Sequence, residues 1–490
     1  MPTANISFGE FLPSAPTFRN PGCVVADNVV PTAGNAYNPF FAPISQGDSL
    51  DSPVRGAQQF YNNNNDSVIV GGTSDSLFVR TNILTETTGL TAIGDDSAWD
   101  FTQFNNFIIA TAPNNAPQYL TDINTDTSWA ALPGSPPTAS RCARVSDFLV
   151  LGNETSQVSR LTWSSFNNPT GDWTSSRTSQ AGYAILPVQL GPIQRIIGGR
   201  YALVFQERGV IRLTYVGPPT VWRVDIVSED RGATAPFSVV DVGYQTYFLS
   251  QDGFYVTNGS EFRPIGNDRI NNFFFETVDQ GQISQVQGAV DWQNGAVIWS
   301  FQSRESTSGA NRLLIYSWRY DRWSTATVSS DWIVSSTIDG VSIDDLDAIY
   351  GNIDSIPLSL DSEQFRAGNR RLAAFIQNPS NQSEYNVFNG DPLAATWQTG
   401  EFEPAAARRV FINEVYPVIE ATQWDMACSV ASRDNRGSVI TSQPLVPGVA
   451  GFCPVRSEGQ KVGIRMTKPA GGEWTRAQGV QINYQPAGMR

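Results

Sequence analysis

The chain has 490 residues, 40% of them hydrophobic and only 16% charged, with 41 glycines, 30 prolines and a net charge of −14. It has no histidine, which excludes His-liganded zinc, Ser-His-Asp and Cys-His catalysis and a histidine pH switch. Only Lys461 and Lys468 are lysines among its 32 basic residues, and neither follows a glycine-rich loop, so P-loop and Schiff-base chemistry have almost no candidates.

The amino terminus, MPTANISFGEFLPSAP, lacks the basic stretch and apolar core of a secretory signal. No run of about eighteen apolar residues occurs, so no membrane insertion by this chain is expected. Residues 1–45 are rich in Pro, Asn and Gly and read as an N-terminal arm. Within it, Gly22–Val25 and Asn28–Val30 can each add one strand to something else.

A repeat begins near residue 65. Apolar cores anchored on Val68, Phe107, Phe148, Tyr201, Tyr247 and Val297 are 39, 41, 53, 46 and 50 residues apart. A turn signal and a second strand follow each core, as in Gln251–Asp252–Gly253 before Phe254–Tyr255–Val256. A hairpin recurring at this period is the signature of propeller blades, which bury their faces only by packing around an axis. Leu372–Phe375 with Tyr385–Phe388 adds a possible further blade. The expected fold is all-β: a β-propeller of about six or seven blades over 46–395, interrupted by an irregular acidic insertion at about 330–368. Within that insertion Ser342–Gly351 reads as a short capped helix, since its aspartates miss the alternating spacing of a calcium loop. Past residue 396 the period is lost, and strand-like runs such as Val415–Ile419 and Val480–Tyr484 point to a C-terminal β-sandwich domain over 396–490.

Chemistry-bearing constellations are weak. Ser250–Gln251–Asp252–Gly253–Phe254 misses the sialidase-type Asp box by one place and is explained by a hairpin turn. Tyr316, Trp318, Tyr320 and Trp323 could stack on sugar but equally suit blade packing. The cysteines Cys23, Cys142, Cys428 and Cys453 lack metal or redox spacing and read as buried thiols, with Cys428 and Cys453 the pair to test for a bridge. No catalytic, cofactor or metal site residue is identified. The strong preference for arginine over lysine suits permanent protein interfaces, or reflects the source genome.

Several stretches resemble one family: Asn28–Phe40 (NVVPTAGNAYNPF), Trp99–Phe104, Ala116–Tyr119, Asp147–Asn153, Trp163–Pro169, Gly253–Tyr255 and Tyr316–Trp323, with Gly451–Arg456 continuing into the C-terminal domain. In this order they are similar to the tail nozzle or tail hub proteins of short-tailed bacteriophages, also called tail tubular or packaged-DNA stabilisation proteins. The resemblance implies a non-enzymatic virion protein of the tail, made in the host cytoplasm. It implies a homohexameric ring below the portal and head-to-tail adaptor, with tail fibres or spikes as further partners. DNA would pass through the ring's channel without specific binding, and the acidic balance agrees, because a channel that repels phosphate lets DNA slide. The resemblance carries no cofactor and no catalytic residue, and it leaves the channel and gate residues unknown. The alternative reading is a glycan-binding or glycan-cleaving propeller acting as a receptor-binding tail component. An axial carboxylate pair beside a sugar-sized pocket would favour it.

Overall fold

The computed structural model describes residues 2–487 except 65, 82–83, 338–369, 407, 435–436 and 449–450. The Ser342–Gly351 helix expectation, and most of the insertion around it, lie outside the described residues. One α-helix, Asn271–Thr277, occurs among them, and no helix is long and apolar enough to cross a membrane.

Among the described residues, six four-stranded antiparallel sheets and the first four strands of a nine-stranded sheet form the seven blades of a β-propeller. Their inner strands are Ala57–Tyr61, Asp100–Phe104, Ala139–Val145, Ile193–Ile197, Val240–Asp241, Gln287–Asp291 and Trp332–Thr337. These meet in ring order, the last returning to the first, with the short turn Pro236–Ser238 filling in between the fourth and fifth. The six apolar anchors lie in the second strands of blades one to six, and Leu372–Phe375 lies in the second strand of blade seven. The physical reason is position. A second strand has a paired strand on each side and a neighbouring blade on each face, so Ser67–Gly72 and Ala296–Phe301 are buried at every residue. Blade seven takes its outermost strand from the start of the chain: Phe41–Leu50 pairs antiparallel with Ser383–Pro392 and closes the ring.

The strands after residue 394 do not build their sandwich alone. One sheet holds Val29–Thr32, Ala36–Pro39, Trp474–Pro486, Val410–Ala421 and Cys453–Gly459, and Thr3–Ser7 also pairs with Trp474–Pro486. The other runs Cys23–Asp27, Ala395–Thr399, Lys461–Lys468, Ala427–Arg433 and Ile440–Thr441. The segment 1–45 therefore supplies four strands to the sandwich, and the strand that closes the propeller crosses the 45/46 boundary.

The second sheet is continuous with blade six, because Asp27 pairs in parallel with Thr325 of that blade's outermost strand. Asn28 makes the change of sheet possible. Its φ of 59° is a left-handed conformation that asparagine tolerates better than most residues, and it separates Cys23–Asp27 from Val29–Thr32. A single apolar cluster runs from Phe254, Trp299 and Trp323 of the propeller to Trp397, Val430 and Ile482 of the sandwich. Continuous burial of this kind couples the two halves mechanically.

Candidate functional site: the propeller axis

Propellers carry their variable chemistry at the axis, where the inner strands converge. Here the turn Ala235–Pro236–Phe237–Ser238 intrudes. Blade five has an inner strand of only two residues, Val240–Asp241, and the turn before it occupies the space a longer strand would fill. Ser238 pins that turn: its hydroxyl donates to the Ala235 carbonyl at 2.7 Å and accepts from the Leu249 amide at 3.2 Å. Trp299 Nε1 donates to the Ser238 carbonyl at 2.9 Å. Phe237 consequently faces the axis and meets Trp332 of blade seven edge to face, with ring centroids 5.0 Å apart. Trp332 is itself anchored by its Nε1, which donates to the Ala57 carbonyl at 3.1 Å.

Two arginines flank this aromatic pair, Arg141 and Arg195, each with its guanidinium carbon 5.0 Å from the Phe237 centroid. Arg195 Nη1 donates to Asp100 Oδ1 at 2.6 Å, and the same carboxylate accepts from the Cys142 amide at 3.2 Å through Oδ2. Arg141 donates to the carbonyls of Gln194 and Ser140 at 2.6 and 2.8 Å. Burial pushes the Arg141 guanidinium down to about 10, with Asp100 opposing the shift, so it stays charged at neutral pH. Two cations with one close carboxylate leave this layer positive, and the ring face of Phe237 takes up part of that charge.

The aromatic pair divides the axis into two cavities. At the end where the inner strands begin lies a cavity of about 410 Å³ that has Phe237 and Trp332 in its wall. On the other side lies one of about 430 Å³, reaching Tyr61, Asp241, Trp292 and Arg370. Among the described residues, the second cavity is lined by a single carboxylate, Asp241, whose pKa burial raises against the hydrogen bond from Thr246. Arg370 there stacks on Trp292, its guanidinium carbon 5.3 Å from the centroid.

The constellations weighed in the sequence lie elsewhere. Gln251–Asp252 is the tight turn between Thr246–Ser250 and Gly253–Thr257. Gly253 is required there, because its φ is 140° and a Cβ would sit 1.9 Å from Asn271 Nδ2. Tyr316 and Trp323 are buried core residues with centroids 4.7 Å apart, and Trp318 packs on Tyr247 and Trp292. They form no open platform. All four cysteines are free and buried. The axial residues Phe237, Trp332, Arg141 and Arg195 were not singled out in the sequence. The proline–aromatic pair at 236–237, just ahead of the shortest inner strand, is the one local trace of them.

No family model matches the sequence, and no curated protein matches it. Solved structures similar to it include the extracellular domain of BT4673 from B. thetaiotaomicron, at 11% identity and TM-score 0.39, covering 82% of this chain and 47% of that one. YCF48 from Cyanidioschyzon merolae is similar at 10% identity and TM-score 0.39, covering 71% of this chain and 98% of its own. Virginiamycin B lyase from Staphylococcus aureus is similar at 8% identity and TM-score 0.35, covering 59% and 88%. The chain spans about half the length of the BT4673 domain.

Proposed function

We propose that the chain is a structural, non-enzymatic component of a bacteriophage tail: a nozzle subunit that forms a ring below the portal and adaptor, retains the packaged genome and forms its exit channel. Beyond the family resemblance, the supporting observation is a pair of unlike apolar surfaces on opposite parts of the molecule. The outermost strands of blades three and four, Gly182–Ile185 and Val221–Ser228, expose Tyr183 and Ile185 at 53% and 56%, and also Val224 and Ile226. The free edge of the sandwich exposes Val439 and Ile440, the latter at 69%, with Val446 nearby. Unpaired strand edges with apolar side chains are an aggregation liability unless something covers them.

The sandwich joins blade six, and blade three lies three places away around a seven-blade ring. Two different surfaces at separated positions are what a head-to-tail interface needs, and such interfaces close into rings when the rotation allows. The DNA path in this reading runs between subunits, since each propeller's own axis is occupied by Phe237 and Trp332. The net charge of −14 favours passage of DNA over its retention on the wall. Light scattering of the purified chain, alone and with its adaptor, tests the reading. A mass of six subunits in either condition supports it, and a monomer in both contradicts it.

A further inference from the structure

The two sheets of the sandwich converge where Ala427–Arg433 of one lies face to face with Cys453–Gly459 of the other. The hydroxyls of Ser432 and Ser457 meet there at 2.8 Å, and Ser432 Oγ also donates to the Glu458 carbonyl at 3.1 Å. Serine side chains are short, so this contact brings the two backbones well inside the usual sheet-to-sheet spacing of about 10 Å. Gly459 permits the approach, since a Cβ there would lie 2.8 Å from Ser432 Cβ. Four residues back along each strand stand Cys428 and Cys453, both fully buried and hydrogen-bonded to each other through their sulfurs. Val430 and Val455, equally buried, fall between the two pairs. The strands therefore run side by side in one register, which sets one thiol opposite the other.

Each of the other two thiols meets oxygen instead. Cys23 Sγ lies 3.3 Å from the Tyr37 hydroxyl, and Cys142 Sγ lies 3.5 Å from the Asp100 carbonyl. Within the facing pair, the hydrogen bond from Cys428 lowers the Cys453 thiol, so Cys453 is the first to ionise.

We propose that Cys428 and Cys453 form a redox-controlled staple across the sandwich: a dithiol where the chain folds in a reducing pool, as in this structure, and a disulfide where it folds in an oxidising one. The oxidant is a small disulfide of the glutathione class. The Cys453 thiolate attacks one of its sulfurs and expels a glutathione thiolate. Cys428, on losing its proton, then attacks the Cys453 sulfur and expels the second. The two cysteine thiols give up two electrons and two protons, and one glutathione disulfide becomes two glutathione thiols. Both cysteine sulfurs are buried, so the exchange takes place as the chain folds or opens. The bridge closes a segment that carries the exposed Val439, Ile440 and Val446. Cys428 already holds Leu445 of that segment by two backbone hydrogen bonds of 2.9 and 3.0 Å. Oxidation thus pins the apolar edge of the sandwich at both ends. That this edge meets a second subunit belongs to the proposed function; the disulfide does not depend on it, so either can fail alone.

The test is refolding of the full chain from urea in mixtures of reduced and oxidised glutathione, followed by acid quench, alkylation and peptide mapping. In the reducing mixture all four cysteines should be alkylated. In the oxidising mixture Cys428 and Cys453 should be recovered in one disulfide-linked peptide, with Cys23 and Cys142 alkylated. The bridge should form about a hundredfold more readily in the folded chain than in urea, because by linkage the fold favours the disulfide as much as loop closure favours the fold. The oxidised chain should also unfold at higher urea, and this shift should vanish in Cys453→Ala. If that variant does not fold, the peptide map of the native chain still decides. Four alkylated cysteines at every ratio, glutathione adducts alone, a different pairing, a bridge formed no more readily than in urea, or a shift that persists in Cys453→Ala would each overturn the proposal.

Discussion

The guanidinium of Arg322, in the outermost strand of blade six, lies 4.8 Å from the ring centroid of Tyr37, in the first sheet of the sandwich. The same side chain donates to the carbonyls of Thr32 and Ala36 at 3.2 and 3.3 Å, and also to that of Gly9. Tyr37 in turn donates to Gly9 at 3.0 Å and meets Cys23 Sγ at 3.3 Å. One buried arginine thus gathers three stretches of the N-terminal segment onto the propeller. Its planar fork suits several fixed acceptors at once.

Arg322→Ala should therefore destabilise the folded chain by about 3–5 kcal/mol, since it leaves buried carbonyls without donors and removes the packing on Tyr37. Arg322→Lys should recover only part of this, because an ammonium lacks the fork. Urea unfolding of the three proteins measures both. An Arg322→Ala loss below about 1 kcal/mol would contradict the tethering role.

Thiol chemistry offers a second check. Burial pushes the Cys23 thiol up to about 12. Cys428 is raised by its hydrogen bond with Cys453 and by burial. All four thiols should be unreactive towards an aromatic disulfide reagent in the native chain, and four equivalents should titrate once it is unfolded. Two equivalents instead of four would mean that Cys428 and Cys453 are bridged.

The pH dependence has a definite sign. Asp291 is buried, and burial raises its carboxyl against hydrogen bonds from Asn294 and Gln293 and the nearby charge of Arg371. The folded state then holds this proton more tightly than the unfolded chain does. The corresponding stability is complete below the ordinary carboxylate value, about 3.9, and is lost as pH rises through the folded value. Asp291→Asn should lose less stability than the native chain between about pH 4 and neutrality, measured by urea unfolding at both ends. Equal losses would show that Asp291 does not contribute.

These residues also mark what the sequence could reveal. The second strands of the blades were legible because burial on both faces makes them continuous apolar runs, as at Ala296–Phe301. The inner strands were not. Ala57–Tyr61 reads Ala-Gln-Gln-Phe-Tyr, since it packs on one side and lines the axis on the other. Val24 and Val25 read as a strand in search of a sheet, but nothing local says that Cys23–Asp27 pairs with Ala395–Thr399. The axial contact was hidden for the same reason: Phe237 and Trp332 meet across the ring, and apart from the proline before Phe237 each looks locally like an ordinary core aromatic.

The exposed edges of blades three and four lead to a substitution at the rim. Ile185→Arg and Ile226→Arg should leave the stability of the subunit within about 0.5 kcal/mol, as surface changes usually do. In the assembly each should weaken subunit association, because a charge would be buried against an apolar surface. Sedimentation of native and variant chains at equal concentration measures this. Unchanged association in both would place the subunit interface elsewhere.

The most direct measurement is electron microscopy of the purified chain with its adaptor, at a resolution that separates propeller from sandwich. The expected result is a six-fold ring with an open centre, in which the sandwich edge at Val439–Ile440 of one subunit meets the rim of blades three and four of the next. Single, unassociated particles with and without the adaptor would contradict the nozzle reading.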